Sequence, residues 1–283
     1  EAQEEEYRLG GAANVALNLH ALGAEVFTLG IRGADFAGER LQQLMQEQGL
    51  DTSGLVLTPR RRTTLKTRMS AVNQQLLRID YEDVSDLDED TATLIMSRFQ
   101  AVLNSCAAVI IEDYNKGLLT KELIGRIIAA SRTLGIPVAV DPKHKNFFEY
   151  AGVTIFKPNF QELQKNLGTK FETEADVFRA AEELRARLNC SYLVLTRGSK
   201  GLYIFDGKAE PRHIPTFARD VYDVSGAGDT VISVLSLAFA SGADIVSAAT
   251  IANHAAGVVC GKLGTATASA NEILASYEEN NVS

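Results

Sequence analysis

A carboxylate at the mouth of a glycine-rich turn is the most chemically suggestive arrangement in this 283-residue chain. The run Asp223-Val224-Ser225-Gly226-Ala227-Gly228-Asp229 leads directly into Thr230–Ala240, an apolar stretch with the composition of a buried helix. A glycine-rich turn at a helix start presents unpaired backbone N–H groups and the positive end of the helix dipole. Gly226, Ala227 and Gly228 can therefore form an anion hole for phosphates, or for charge building on a transferring phosphoryl group. Asp229, in the first turn beside that hole, is placed to take a proton from an attacking hydroxyl. The same residues also fit a plain turn whose Asp merely favours the helix start. A phosphate loop of the form GxxxxGK[ST] is absent, because Glu39 follows Gly33 and Gly38 where lysine is required.

A second small-residue turn, Gly10-Gly11-Ala12-Ala13-Asn14, precedes an amphipathic segment reaching Gly23. Gly10 and Gly11 allow close approach of a ligand to the backbone, and Asn14 can hydrogen-bond sugar hydroxyls. Paired glycines before a helix are also common in ordinary turns. Arg60–Arg68 is a basic run in a chain whose net charge is −8. If this stretch is a strand, Lys66 and Arg68 share a face that Arg78 joins from the returning strand, forming a grip for a phosphate group. A solvated edge strand would carry the same charges, and Arg60–Arg62 are expected to face solvent. Asp113 and Lys116 follow the apolar run Ala108–Glu112, and Lys143 follows Val138–Asp141. Open α/β sheets bind ligands at such strand ends, so Asp113 and Lys116 are candidates for substrate and Lys143 for nucleotide phosphates or the substrate.

These residues need a scaffold, and the pattern supplies one. Val26–Gly30, Ala108–Glu112, Val138–Asp141, Val153–Phe156, Tyr192–Thr196 and Leu202–Phe205 read as strands. Helical patterns lie between or after them over Phe36–Gln48, Thr120–Leu134 and Glu174–Leu188, and after Gly228 and Asp244. Alternation of this kind implies a mainly parallel sheet covered on both faces. Thr63–Glu82 breaks the rhythm with period-two alternation on either side of Ala71–Asn73, the pattern of a β-hairpin. No repeat or linker divides the chain, so residues 1–283 read as one domain with a β lid at about 63–82.

The acidic balance excludes a nucleic-acid surface as a general role. Cys106, Cys190 and Cys260 are too dispersed for a disulfide framework or zinc site, which suits the cytoplasm. No run is long and apolar enough to suggest a membrane span. His20, His144, His213 and His254 lack metal-ligand spacing and read as structural.

Taken together, the motifs resemble the ribokinase-type (pfkB-type) carbohydrate kinases over essentially the whole chain. GGAANVALNLHALGA with Gly33–Gly38 looks like the family's N-terminal signature, and DVSGAGDTVISVL like its C-terminal one. Asn159-Phe160-Gln161-Glu162 matches the N-x-x-E motif, and Thr196-Arg197-Gly198 with Gly201 matches a nucleotide-contacting segment. The resemblance implies a three-layer α/β/α sandwich, ATP with Mg²⁺, and Asp229 as catalytic base. It also implies Glu162 as a Mg²⁺ residue acting through water, and Lys143, Asn159, Thr196, Gly198, Gly201, Asn253 and Gly257 along the nucleotide. The hairpin, EDYNKGLLT, DPKHKNF and ANHAAGVVCGKLGTAT are similar to the bacterial heptose-7-phosphate kinase branch. That likeness implies a small sugar phosphate as acceptor at its anomeric hydroxyl, a place in lipopolysaccharide heptose synthesis, and a homodimer. A kinase for fructose, ribose or a hexose phosphate, and a non-catalytic sugar- or nucleotide-sensing domain, remain the alternatives. Family members carry a strand with a sugar-binding Asp well before the Gly-Gly turn. Only nine residues precede Gly10, so that strand is expected to be missing. No part of the nucleotidyltransferase domain fused to some heptose kinases is expected here.

Overall fold

The structure, a computed structural model, describes residues 4–71, 74–208, 210–218 and 222–281. Helix α1 (Ala12–Ala21) precedes the strand β1 (Gly30–Gly33), α2 (Phe36–Glu47) and β2 (Leu55–Thr58), and β1 and β2 pair in parallel. Strands β3 (Leu65–Ala71) and β4 (Gln74–Tyr81) form an antiparallel hairpin of their own. After them come α3 (Glu89–Leu103), β5 (Val109–Glu112), α4 (Lys121–Thr133), β6 (Val138–Asp141), β7 (Ile155–Phe156), α5 (Phe160–Leu167) and α6 (Glu174–Leu188). Strands β8 (Tyr192–Thr196), β9 (Leu202–Phe205) and β10 (Arg212–Ile214) follow, then α7 (Ala227–Ala240), α8 (Ile245–Cys260) and α9 (Ala270–Asn281).

The main sheet has the order β10-β9-β8-β7-β6-β5. Strands β5 to β8 are parallel, β9 runs antiparallel to β8, and β10 antiparallel to β9. Period-two alternation sorts the strand residues between two cores. Val138, Val140, Leu193, Leu195, Tyr203 and Phe205 pack with α3, α4 and α6. Ala139, Val194, Leu202 and Ile204 pack on the opposite face with α1, α7 and α8. The result is the expected α/β/α sandwich with a mainly parallel sheet. Among the described residues no helix is long and apolar enough to cross a membrane.

The strand expected at Val26–Gly30 begins only at Gly30, and Phe27 makes a lone bridge to Asp51. Its limits follow its partner, since the ladder runs from Gly30–Leu55 to Gly33–Thr58. Sequence reading missed β2, α3, α5, β10 and α9. For α3 the signal is present: Asp88 caps it by accepting from the Thr91 amide, and Ile95, Met96, Phe99 and Leu103 bury one stripe. The hairpin lies within the expected segment, although Val72 and Asn73 fall outside the described residues. A bulge between Met69 and Ser70 resets its register.

Candidate active site

Three parallel strands end side by side and form the floor of the site. Glu112 closes β5, Asp141 closes β6 as its register partner, and Lys157 follows β7. All three belong to the strand face that carries Ile110, Ala139 and Ile155 toward α7. Asp229, in the first turn of α7, stands over them. Oxygens of Glu112, Asp141 and Asp229 lie within 4.8 Å of one another.

Each carboxylate is treated differently. Asp229 accepts from Asn14 Nδ2 at 2.8 Å and from the Tyr114 hydroxyl at 2.7 Å. Burial pushes its carboxyl above the usual range, opposed by these two bonds, while Asp141 adds to the rise and Lys157 offsets it. Burial would raise Asp141 too, but Lys157 at 3.0 Å and Lys143 at 3.1 Å outweigh it and hold the group low. Glu112 is hydrogen-bonded to neither lysine, although their charges offset part of its rise. Its side chain is only partly buried, yet both carboxyl oxygens are buried and lack a hydrogen-bond partner. Burial, then Asp141 and Asp229, drive its pKa well upward. Burial followed by Asp229 and Glu112 likewise keeps Tyr114 protonated far beyond the usual phenol range.

The turn above this floor has the conformation of an anion site. Gly226 caps α7 at φ 80°, and a Cβ there would lie 2.9 Å from Asn14 Nδ2. Gly228, at the second position of the helix, has an amide without an intrahelical acceptor. It sits over Lys157, whose Nζ would be 3.8 Å from a Cβ at that position. The Ala227 amide, expected in the same hole, donates to the Val224 carbonyl at 3.2 Å instead, because the turn closes on itself.

The Asn159-x-x-Glu162 motif is a capping box. Asn159 Oδ1 accepts from the Glu162 amide at 2.8 Å, and Glu162 Oε2 accepts from the Asn159 amide at 2.9 Å. Glu162 Oε1 pairs with Lys143 at 2.6 Å. Desolvation would lower the Lys143 pKa, but Asp141 and Glu162 raise it, so the ammonium stays charged. Both Glu162 oxygens thus already accept a hydrogen bond, one from the Asn159 amide and one from Lys143. A hard divalent cation fits the neighbouring donors, since the two uncommitted oxygens of Glu112 lie beside those of Asp141 and Asp229.

Several expected contacts are arranged otherwise. Asn14 is buried and donates to Asp229, so its amide positions the carboxylate instead of lining an open sugar site. Asp113 is buried, bonded to the Asn115 amide at 2.8 Å, Asn146 at 3.1 Å and Tyr150 at 2.7 Å. It braces its loop. Asn253 is buried, and its side chain donates to the Pro215 carbonyl at 2.5 Å. Gly257 faces the backbone of Phe217 and Ala218, so both residues hold that segment on α8. Arg61, expected to face solvent, has only 9% of its side chain exposed. Its guanidinium joins the Ser85 and Asp83 carbonyls to that of Lys116. Gly10 is exposed, and Gly11, at φ 56°, lies against the Tyr114 ring. Thr196 ends β8 beside Asn159, and Gly198 and Gly201 bound the turn that follows. Lys66, Arg68 and Arg78 share one hairpin face, with Arg68 directly opposite Arg78. Glu112, Tyr114 and Lys157 escaped sequence reading. The signal for Glu112 and Lys157 was a charge ending an otherwise apolar strand.

An aspartate in the first turn of a helix, above the buried Lys157 and the partly buried Lys143 at the parallel strand ends, has the arrangement of a phosphoryl-transfer site on a sugar-kinase scaffold. The model of the pfkB family of carbohydrate kinases matches residues 1–272, and the chain belongs to that family. It is 43% identical over 265 residues to the bifunctional protein HldE of Mesorhizobium japonicum, covering 94% of this chain and 53% of that protein. With the HldE of Geotalea uraniireducens it is 42% identical, covering 96% of this chain and 55% of that one. The chain thus spans little more than half the length of these relatives. Phosphofructokinase-2 from Escherichia coli in complex with potassium superposes with a TM-score of 0.81 at 20% identity, covering 99% of this chain and 93% of that one. Arabidopsis thaliana ribokinase complexed with ribose and ATP gives 0.77 at 18% identity, covering 93% and 85%. These two likenesses concern the fold.

Proposed function

We propose that this chain transfers the γ-phosphoryl group of ATP to the anomeric hydroxyl of D-glycero-D-manno-heptose 7-phosphate, giving the 1,7-bisphosphate. The observation that carries the transfer is Asp229, held by Asn14 and Tyr114 at the start of α7. The acceptor oxygen bonds to the γ-phosphorus as the bond to ADP breaks, and its proton moves to Asp229. Each Asp229 oxygen keeps a lone pair for this after accepting its one hydrogen bond. The Gly228 amide and Lys157 face the charge that develops. Glu112, with Glu162 through water, would hold Mg²⁺, which when bound supplies charge neutralisation to the phosphates.

The heptose is supported by the likeness to the heptose-7-phosphate kinases, by the relatives named HldE, and by the cationic hairpin face. In this reading the hairpin is a lid on a single kinase domain that acts in the cytoplasm, on the path to lipopolysaccharide heptose. The opposite hairpin face places Leu65, Thr67 and Met69 across from Tyr81, Ile79 and Leu77, with Met69 and Leu77 about half exposed at 48% and 49%. A lone hairpin with a bare apolar face is marginal in water, which favours lid-to-lid homodimerisation. The decisive experiment compares ADP release with the heptose 7-phosphate, fructose 6-phosphate, fructose and ribose, in wild type and Asp229→Asn. Turnover with the heptose phosphate that the variant abolishes is expected. Preference for an unphosphorylated sugar would reject the acceptor, and an active variant would reject the base.

A further inference from the structure

The charged face of the hairpin carries anions as well as cations. Lys66 Nζ lies 3.1 Å from Asp80 and 3.6 Å from Glu82. Arg78 forks onto Asp80 at 2.8 and 2.5 Å, and Lys116 pairs with Glu82. Arg68 stands opposite Arg78 in the ladder. Like charges facing across two strands repel unless an anion lies nearby. Here Asp80, one register step beyond Arg78 on the same face and opposite Lys66, supplies it.

This face borders the mouth of the site on two sides. Lys116 belongs to the loop from which Tyr114 reaches Asp229. Asp223 opens the turn that ends at Asp229, and its carboxyl is held low by Ser225, with the Gly264 amide and then Arg68 adding to the effect. Lys66, Arg68, Arg78 and Lys116 face Asp80 and Glu82, and Asp223 offsets Arg68 in part, so the face keeps a net positive charge. A phosphate monoester carries about −1.5 to −2 at neutral pH. The net positive face therefore favours such an anion.

We propose that Asp80 and Glu82 are built-in stand-ins for the substrate's phosphate group and set the selectivity of this face for a dianion. The proposal rests on the reading of the acceptor as a sugar phosphate. Before a phosphate binds, the two carboxylates hold Lys66, Arg78 and Lys116 in place. An arriving phosphate takes over those ammonium and guanidinium donors, so binding is an exchange of anions. A phosphate ester gains short, bidentate contacts that outweigh the lost pairs. A monoanion such as chloride gains too little to displace them.

The test uses Asp80→Asn, Glu82→Gln and the double variant, which keep side-chain size on a solvent-facing hairpin. Steady-state kinetics are measured with heptose 7-phosphate and ATP, and inhibition is measured with inorganic phosphate. Each single substitution is expected to lower KM for the sugar phosphate roughly two- to five-fold, the range for exposed ion pairs. Inorganic phosphate should inhibit more strongly in the same order, with KM for ATP unchanged. An unchanged or raised KM for the sugar phosphate overturns the proposal, because the carboxylates would then only brace the hairpin. A parallel fall in KM for ATP overturns it also, since the effect would be general electrostatics. If wild type uses no sugar phosphate, the proposed function fails and this proposal with it. If wild type uses one and the variants do not improve, this proposal alone fails.

Discussion

Removing one hydroxyl tests whether Asp229 is the base and whether its environment tunes it. Tyr114→Phe deletes the 2.7 Å bond to Asp229 Oδ1 and leaves the ring against Gly11. Burial is the largest influence on Asp229 and favours its neutral form, while the Asn14 and Tyr114 bonds favour the carboxylate. A hydrogen bond to a charged group contributes about 1.5–3 kcal/mol, or roughly 10- to 150-fold in the ionisation equilibrium. Asn14 continues to donate at 2.8 Å, so the lower part of that range applies. The sign is fixed: losing a donor to the ionised form raises the pKa, and the base works only when deprotonated. The acid limb of kcat/KM should therefore move to higher pH, with a rate loss of about tenfold on the limb. The loss should shrink on the alkaline plateau. The assay is a pH series of ADP release under subsaturating acceptor, wild type against variant. An unmoved limb with a pH-independent loss would refute the reasoning and reduce Tyr114 to a packing residue.

Three further outcomes follow from the buried charges. Glu112→Gln should weaken the stabilisation by Mg²⁺ seen in thermal melts. Because burial raises the Glu112 pKa, native stability in metal-free buffer should fall as pH rises from the ordinary carboxylate range through the raised value. The variant should lose that part of the decline, and an identical pH profile would refute it. Lys157→Met leaves Asp141 with Lys143 alone and should cost about 3 kcal/mol, read by denaturant titration. A loss under 1 kcal/mol would show that the pair is not buried as described. Asp113→Ala strips the Asn115 amide, Asn146 and Tyr150 of their acceptor and should cost about 2–3 kcal/mol. If Asp113 contacts substrate instead, KM for the sugar phosphate will rise with stability intact.

Local rules made much of the scaffold readable. Strands β6, β8 and β9 match the expected ranges because short, nearly continuous apolar runs bounded by turns fit a strand buried on both faces. Helix α6 matches at Glu174–Leu188 because Thr173 and Asp176 form a capping box at its start. Strand β1 was displaced because a ladder's limits belong to both partners, and β2 had not been recognised. Asp113 and Asn253 were read as ligand contacts because a polar residue at a strand end or near a motif carries no mark of its direction. Their actual partners, Tyr150 and Pro215, are 37 and 38 positions away along the chain.

The sequence alone determined the chemical parts: an aspartate behind a glycine-rich helix start, an N-x-x-E motif, and a basic hairpin in an acidic chain. These are short-range patterns, each set by backbone geometry within a few residues. Only the tertiary structure decided how those parts are charged. Asn14 and Tyr114 reach Asp229 across 215 and 115 positions, and Lys157 meets Asp141 through neighbouring strands. Ionisation depends on burial and on charges within a few ångströms, and those distances exist only once the sheet has brought β5, β6, β7 and α7 together.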